Sequence, residues 1–116
     1  GDGKQTRCFC HVSDVVDALI LLMGAKQSYG EVINVGSNRE ISMLDLANII
    51  KTNLASDTDI TLVPYEQIYP DGGFEDMRRR VPSIEKIYKL IKWEPKSTLE
   101  EIVKEVIKFQ KVIQNQ

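Results

Sequence analysis

The sequence predicts an α/β fold on three observations. Short runs of β-forming residues alternate with runs of helical period along the first half of the chain. Two segments open on a hydroxyl residue with an acid three positions later, the signature of a helix start. Glu31-Val-Ile-Asn-Val-Gly36 is apolar on both faces, as in the interior of a parallel sheet.

Taken in order, Gly1-Asp-Gly3 is a glycine-flanked polar turn, and Thr6 to Val12 is rich enough in β-formers to predict a short strand. Ser13 or Asp14 then caps a helix that runs to about Met23 and stops at Gly24. Val15, Val16, Ala18, Leu19, Ile20, Leu21, Leu22 and Met23 leave almost no polar face, which predicts burial on most sides. The 31–36 run supplies a second strand. Ser42-Met-Leu-Asp45 is a capping box with Asp in place of Glu, and Met43, Leu46, Ala47, Ile50 and Leu54 follow at helical spacing. Ile60-Thr-Leu-Val63 predicts a brief third strand stopped by Pro64. From Tyr65 to Pro82 no period emerges, and the stretch ends near three consecutive arginines, Arg78 to Arg80; loops of that length in compact domains are usually functional or disordered. Ser83 is expected to cap a helix with Ile84, Ile87, Tyr88 and Ile91 on one face, ended by Trp93-Glu-Pro95. Thr98-Leu-Glu-Glu101 opens the last helix, before a polar tail from Gln114 to Gln116.

At 116 residues, 42% hydrophobic and 28% charged, residues 1–116 are expected to form a single domain. A net charge of −2, from 15 basic and 17 acidic residues, provides no field for nucleic acid or an anionic membrane surface. The most apolar run, Val15 to Met23, is interrupted by Asp17 and falls well short of the roughly 20 residues that span a bilayer. No basic segment followed by an apolar one marks a secretory signal, and a start at Gly1 without methionine predicts a chain cut from something longer. Cys8 and Cys10, as i, i+2 neighbours on a strand, make a poor disulfide and fit a reducing cytoplasm. Together with His11 they resemble part of a zinc site, but a tetrahedral site needs four ligands and no second cluster exists, so no metal is expected.

Catalytic machinery is sparse. His11 has no evident acid or nucleophile beside it, and no Rossmann or Walker glycine loop is present. Two places suit an anion instead: Gln5-Thr6-Arg7, and Arg78-Arg79-Arg80 just before the helix that Ser83 is expected to cap. A guanidinium donates two parallel hydrogen bonds to phosphate, so two such places clamp a diphosphate. The competing reading of the triplet is a solvated charge run balancing Glu75 and Asp76.

In correct order, Gly1-Asp-Gly-Lys-Gln-Thr-Arg7 through His11-Val-Ser-Asp14, Val32-Ile-Asn-Val-Gly36, the Ser42-led helix, Arg79-Arg-Val-Pro-Ser-Ile84 and Trp93-Glu-Pro95 resemble the C-terminal part of the extended short-chain dehydrogenase/reductase family. This family includes NAD-dependent nucleotide-sugar epimerases, dehydratases and decarboxylases. The resemblance covers essentially the whole chain and implies the substrate-binding C-terminal lobe of a Rossmann-type enzyme. It implies that Gln5 and Arg7 contact a bound nucleotide diphosphate sugar, with UDP as the expected nucleotide. Arg80 joins them by its place before Val-Pro-Ser-Ile, and Arg79 stays open as the alternative. In the decarboxylase branch an arginine at this second position is also assigned a part in catalysis. Asp14, Asn34, Gly36 and Trp93 are read as structural: a helix-start acid, a strand end whose glycine permits the turn, and a core aromatic.

The family's NAD-binding glycine motif and catalytic Tyr-x-x-x-Lys pair are absent. Tyr88 and Lys92 have the right spacing but follow the arginine cluster, where the family's pair precedes it. The resemblance therefore implies a C-terminal fragment, inactive alone, of a cytoplasmic, homodimeric enzyme that uses NAD held elsewhere. The leading expectation is a UDP-glucose 4-epimerase-like epimerase or dehydratase. UDP-glucuronate decarboxylase is the alternative, and a non-catalytic nucleotide-sugar-binding module is the alternative from another class.

Overall fold

The computed structural model describes residues 1–70 and 77–114. Within them the chain is mixed α/β and forms two compact units, Gly1–Arg7 with Ile41–Arg80, and Cys8–Glu40 with Val81–Gln116. Strands β1 (Thr6–Cys8) and β2 (Glu40–Ser42) pair in a two-stranded sheet.

In the first unit, the segment from Gly1 to Arg7 is tied down along its length. Helix α2 (Met43–Asn53) begins at Ser42, whose hydroxyl accepts from Asp45 N (3.0 Å) and donates to Asp45 Oδ2 (2.6 Å), so the predicted box forms with Asp in the acid position. Two more N–H groups of that first turn, which have no partner within the helix, find carbonyls on the opening segment: Met43 N donates to Gln5 O and Leu44 N to Gly3 O, both at 3.0 Å. The amino group of Gly1 donates to Val63 O. Gly3 is buried with φ +71°, and an added Cβ would lie 3.1 Å from Leu44 Cβ, so this turn needs glycine. Among the described residues the expected strand at 60–63 does not form; those residues belong to no helix or strand. The stretch from Tyr65 contains a short helix, α3 (Tyr65–Ile68), and Arg79 forms an isolated parallel bridge with Thr6. Gly72, Gly73, Glu75 and Asp76, with Asn115 and Gln116 of the tail, lie outside the described residues.

The second unit is built around Ala18, Ile87 and Trp93, with Cys10, Leu22, Ile33, Val35, Ile84 and Ile91 packed against them. Helix α1 (Val12–Gly24) starts two or three residues earlier than predicted, because His11 rather than Ser13 or Asp14 is its N-cap and accepts from Ser13 N through Nδ1 (3.2 Å). Burial on most sides does not occur. The inner face carries Asp14, Ala18 and Leu22, while Val12, Val16, Leu19, Ile20 and Met23 form an exposed apolar stripe, since this unit supplies packing partners to one side only. The 31–36 run makes no ladder among the described residues, and β1 is shorter than the predicted 6–12 strand; strands need a partner, which no local pattern guarantees. Ser83 is not a cap: helix α4 (Glu85–Ile91) begins at Ile84 with no side-chain cap, and ends on Lys92 in the left-handed conformation (φ 55°). Helix α5 (Leu99–Gln114) carries the predicted box, with Glu101 N donating to Thr98 Oγ1 (3.2 Å) and Thr98 N to Glu101 Oε2 (2.7 Å).

Candidate functional site

Gln5, Arg7, Arg79 and Arg80 all belong to the first unit. The contact between their two segments is made by backbone. Thr6 N donates to Arg78 O (2.8 Å), and Thr6 pairs with Arg79 in a parallel bridge. Arg7 reinforces it with its side chain, Nη1 donating to Thr6 O (2.6 Å) and to Met77 O (2.8 Å). The half-buried Arg7 is thus steered by two carbonyls.

The bridge sets a register that the sequence left open. Successive residues on extended backbone face opposite ways, and bridged residues face the same way. Thr6 and Arg79 therefore share one face and Gln5, Arg7 and Arg80 fall on the other, while Arg78 lies in a bend where the alternation does not hold. Arg78 has a neighbour of opposite sign: the Lys4 N–H bonded to Asp2 (3.0 Å), with the charge of Arg78 acting in the same direction, holds the Asp2 carboxyl below its ordinary value against a desolvation that would raise it. Gln5 donates from Nε2 to the Tyr65 hydroxyl (3.3 Å). The result is a cationic face tied to neighbouring backbone through Thr6 N to Arg78 O and Met43 N to Gln5 O, and guanidinium groups there suit a multiply charged oxyanion.

The structure places the residues read as structural in the second unit. Asp14 is buried and accepts from Ser97 N (3.0 Å), joining the start of α1 to the loop before α5. Its burial alone would raise its pKa, but the N–H and hydroxyl of Ser97, the N–H of Lys96 and the nearby His11 outweigh this and hold the carboxyl low. Asn34 Nδ2 donates to Ser83 O (3.4 Å). Gly36 is buried without a positive φ, so the permissive-φ reading fails there; a Cβ would stand 3.6 Å from Pro82 Cγ, an ordinary contact. Trp93, 4% exposed, sits in the core. Lys92 lies over the Tyr88 ring at 5.1 Å. Sequence reasoning missed Arg39, which donates to the carbonyls of Ser97 (3.3 Å) and Pro95 (3.4 Å), and Tyr65, which it left in a loop; neither has a local signature.

Among the described residues no group of three or more His, Cys, Asp or Glu is placed to hold a metal. His11 instead lies between Ser13 Oγ (2.6 Å) and Glu105 Oε2 (2.8 Å). Nor do the described residues make a dinucleotide cradle. Such a cradle needs a glycine-rich turn between a strand and a helix, whereas β1 reaches α1 through Phe9, Cys10 and His11, and β2 runs directly into α2. No described helix is long and apolar enough to cross a membrane.

Comparison with known proteins matches residues 1–106 to the family described as GDP-mannose 4,6 dehydratase. A UDP-N-acetyl-alpha-D-glucosaminuronate decarboxylase of Bacillus cytotoxicus is 41% identical over 115 residues, covering 99% of this chain and 35% of that protein. Among solved structures, UDP-glucose 4-epimerase of Thermotoga maritima with UDP-glucose superposes with a TM-score of 0.82 at 29% identity, over 97% of this chain and 34% of that one. The dTDP-glucose 4,6-dehydratase of Bacillus anthracis in complex with NAD gives 0.78 at 28% identity, over 96% and 33%. The chain spans about a third of the length of each of these relatives.

Proposed function

The chain belongs to the GDP-mannose 4,6-dehydratase family of NAD-dependent extended short-chain dehydrogenases/reductases, and from that premise we propose that it is the nucleotide-sugar-binding part of an enzyme acting on UDP-sugars. Arg7 and Arg80 hold the diphosphate, and Gln5 contacts the nucleotide beside them. The observation that carries this reading is the Thr6 to Arg79 bridge, which brings the two arginine segments together in one unit with Arg7 and Arg80 on a common face. A guanidinium fork on each side of a diphosphate neutralises its two charges while leaving the sugar free to project toward the reacting groups.

NAD supplies hydride chemistry in this family. The described residues do not fit it, so their part is to bind and orient the nucleotide end of the substrate. By itself the chain is expected to turn over nothing and to bind UDP weakly.

Within the family, decarboxylation of a UDP-uronic acid is favoured over 4-epimerisation of UDP-glucose by one observation: the decarboxylase relative is 41% identical, the epimerase 29%. The test uses the full-length protein that carries this chain, supplied with NAD and either UDP-glucuronic acid or UDP-glucose. Release of CO2 from the uronic acid is the expected result. Epimerised UDP-glucose without CO2 release would replace the decarboxylase reading with the epimerase one, and UDP binding with no turnover of either sugar would favour a non-catalytic binding module.

A further inference from the structure

We infer that Tyr65 is a positioning residue for nucleotide recognition, acting through Gln5; this rests on the proposed nucleotide-sugar site. Three features fix the Tyr65 ring. It follows Pro64 at the first position of α3, and its carbonyl accepts from Tyr69 N (2.8 Å), which holds its backbone. One edge of the ring lies against Gly1, where an added Cβ would come within 2.6 Å of Cε2, so the opening segment rests on the ring only because residue 1 has no side chain. Its hydroxyl accepts from Gln5 Nε2 at 3.3 Å, in a partly buried contact between residues 60 apart.

The consequence concerns which end of the Gln5 amide meets a ligand. An amide presents two donors on nitrogen and an acceptor on oxygen. With Nε2 turned to Tyr65, which takes one of its two N–H groups, the oxygen Oε1 is the end of the Gln5 amide turned away from Tyr65 and left for whatever occupies the face it shares with Arg7. A carbonyl oxygen repels phosphate and accepts from a hydroxyl or an imide N–H. Gln5 therefore reads a hydrogen-bond donor of the nucleoside, while the arginines hold the phosphates. This separates two roles in a motif only three residues long: Gln5 discriminates and Arg7 anchors.

The experiment is a double-mutant cycle on the full-length protein with NAD, titrated calorimetrically with UDP. Tyr65→Phe keeps the ring against Gly1 and removes only the hydroxyl. The expected result is that Tyr65→Phe and Gln5→Ala each weaken UDP binding about threefold to tenfold, the range of one neutral hydrogen bond, and that the double variant is no weaker than Gln5→Ala alone. Two further probes locate the donor. If it is the ribose 2′-hydroxyl, the Gln5→Ala penalty vanishes with 2′-deoxy-UDP; if it is the base, it vanishes with N3-methyl-UDP. A Tyr65→Phe loss of the same size in the Gln5→Ala background would overturn the inference, since a merely structural tyrosine acts whether or not Gln5 is present. So would unchanged affinity in Tyr65→Phe while Gln5→Ala and Arg7→Ala both weaken binding, and in that case the nucleotide site stands. If Arg7→Ala and Gln5→Ala both bind UDP as the parent does, the site reading itself falls. Should Tyr65→Phe lower the melting temperature, titration well below the transition keeps the comparison valid.

Discussion

Thr6 and Arg79 face each other across a parallel bridge, and this pairing puts Arg79 and Arg80 on opposite faces of their segment. On extended backbone Arg80 falls on the face of Gln5 and Arg7, while Arg79 falls with Thr6 on the other. Arg78 lies in a bend near Asp2, whose carboxyl its charge helps to hold below the ordinary value. Arg80→Ala is therefore predicted to weaken UDP binding to the full-length protein by about 1.5 to 3 kcal/mol, the range for a hydrogen bond to a charged group, and Arg7→Ala to do the same. Arg79→Ala should cost less than about 0.5 kcal/mol of binding. Calorimetric titration of the three variants decides it, and a larger loss in Arg79→Ala than in Arg80→Ala would reverse the register.

Two glycines make opposite predictions for the same substitution. Gly3 is buried at φ +71° with Leu44 Cβ 3.1 Å from where its own Cβ would stand, and its carbonyl caps α2. Gly3→Ala forces a side chain into left-handed backbone and is expected to cost about 1 to 3 kcal/mol. Because the same turn leads into Gln5 and Arg7, UDP affinity should fall with it. Gly24 closes α1 with no heavy atom within 4 Å of an added Cβ and no positive φ. Gly24→Ala should stabilise by about 0.4 to 1 kcal/mol by restricting the unfolded chain, with no effect on UDP affinity. Denaturant unfolding measures both; a destabilising Gly24→Ala would show that α1 does not end as described.

Elements made by local chemistry were legible in the sequence. Ser42 with Asp45 and Thr98 with Glu101 announce α2 and α5, because a hydroxyl and an acid three residues apart satisfy helix-start donors without help from elsewhere. The Gln5 to Arg7 segment and the arginine triplet stood out as well. What failed to show depends on distant partners. Residues 31–36 and 60–63 have the composition of strands but no ladder among the described residues, whereas Glu40 to Ser42, of which the sequence marked only Ser42, as a helix cap, pairs with β1. The Ser83 cap failed although its residue type was right, because α4 starts one position later. The register that sets Arg79 and Arg80 on different faces was invisible, since it comes from a contact of Thr6 with a segment 72 residues on.

The core of the second unit should respond in proportion to what is removed. Ile87 is fully buried against Ala18 and Trp93. Ile87→Val is expected to cost about 0.5 to 1.5 kcal/mol and Ile87→Ala about 2 to 5 kcal/mol, from lost transfer energy and the cavity left behind. Tyr88, the next residue, is 47% exposed and contributes a ring under Lys92; Tyr88→Ala should cost about 1 kcal/mol or less. Equal losses at residues 87 and 88 in urea unfolding would contradict the assigned inner face of α4.

Asp14 makes stability depend on acid. It is 5% exposed and keeps its charge through the Ser97 N–H at 3.0 Å, helped by the Ser97 hydroxyl, Lys96 N–H and His11, so its folded pKa lies below the ordinary value although burial opposes this. Its contribution is present in full above the unfolded carboxyl pKa of about 3.9 and is lost as pH falls through the lower folded value, because the unfolded chain takes up the proton first. Asp14→Asn can still accept from Ser97 but does not titrate. At pH 7 it should cost about 1 to 2 kcal/mol, less than Asp14→Ala at about 1.5 to 3 kcal/mol, which leaves the Ser97 N–H without its acceptor. Between about pH 5 and pH 2 the parent should lose stability more steeply than Asp14→Asn, so that the gap between them narrows as acid is added. Urea midpoints measured across that range test the sign: a gap that widens toward low pH would mean that Asp14 is folded with a raised pKa, and that burial outweighs its hydrogen bonds.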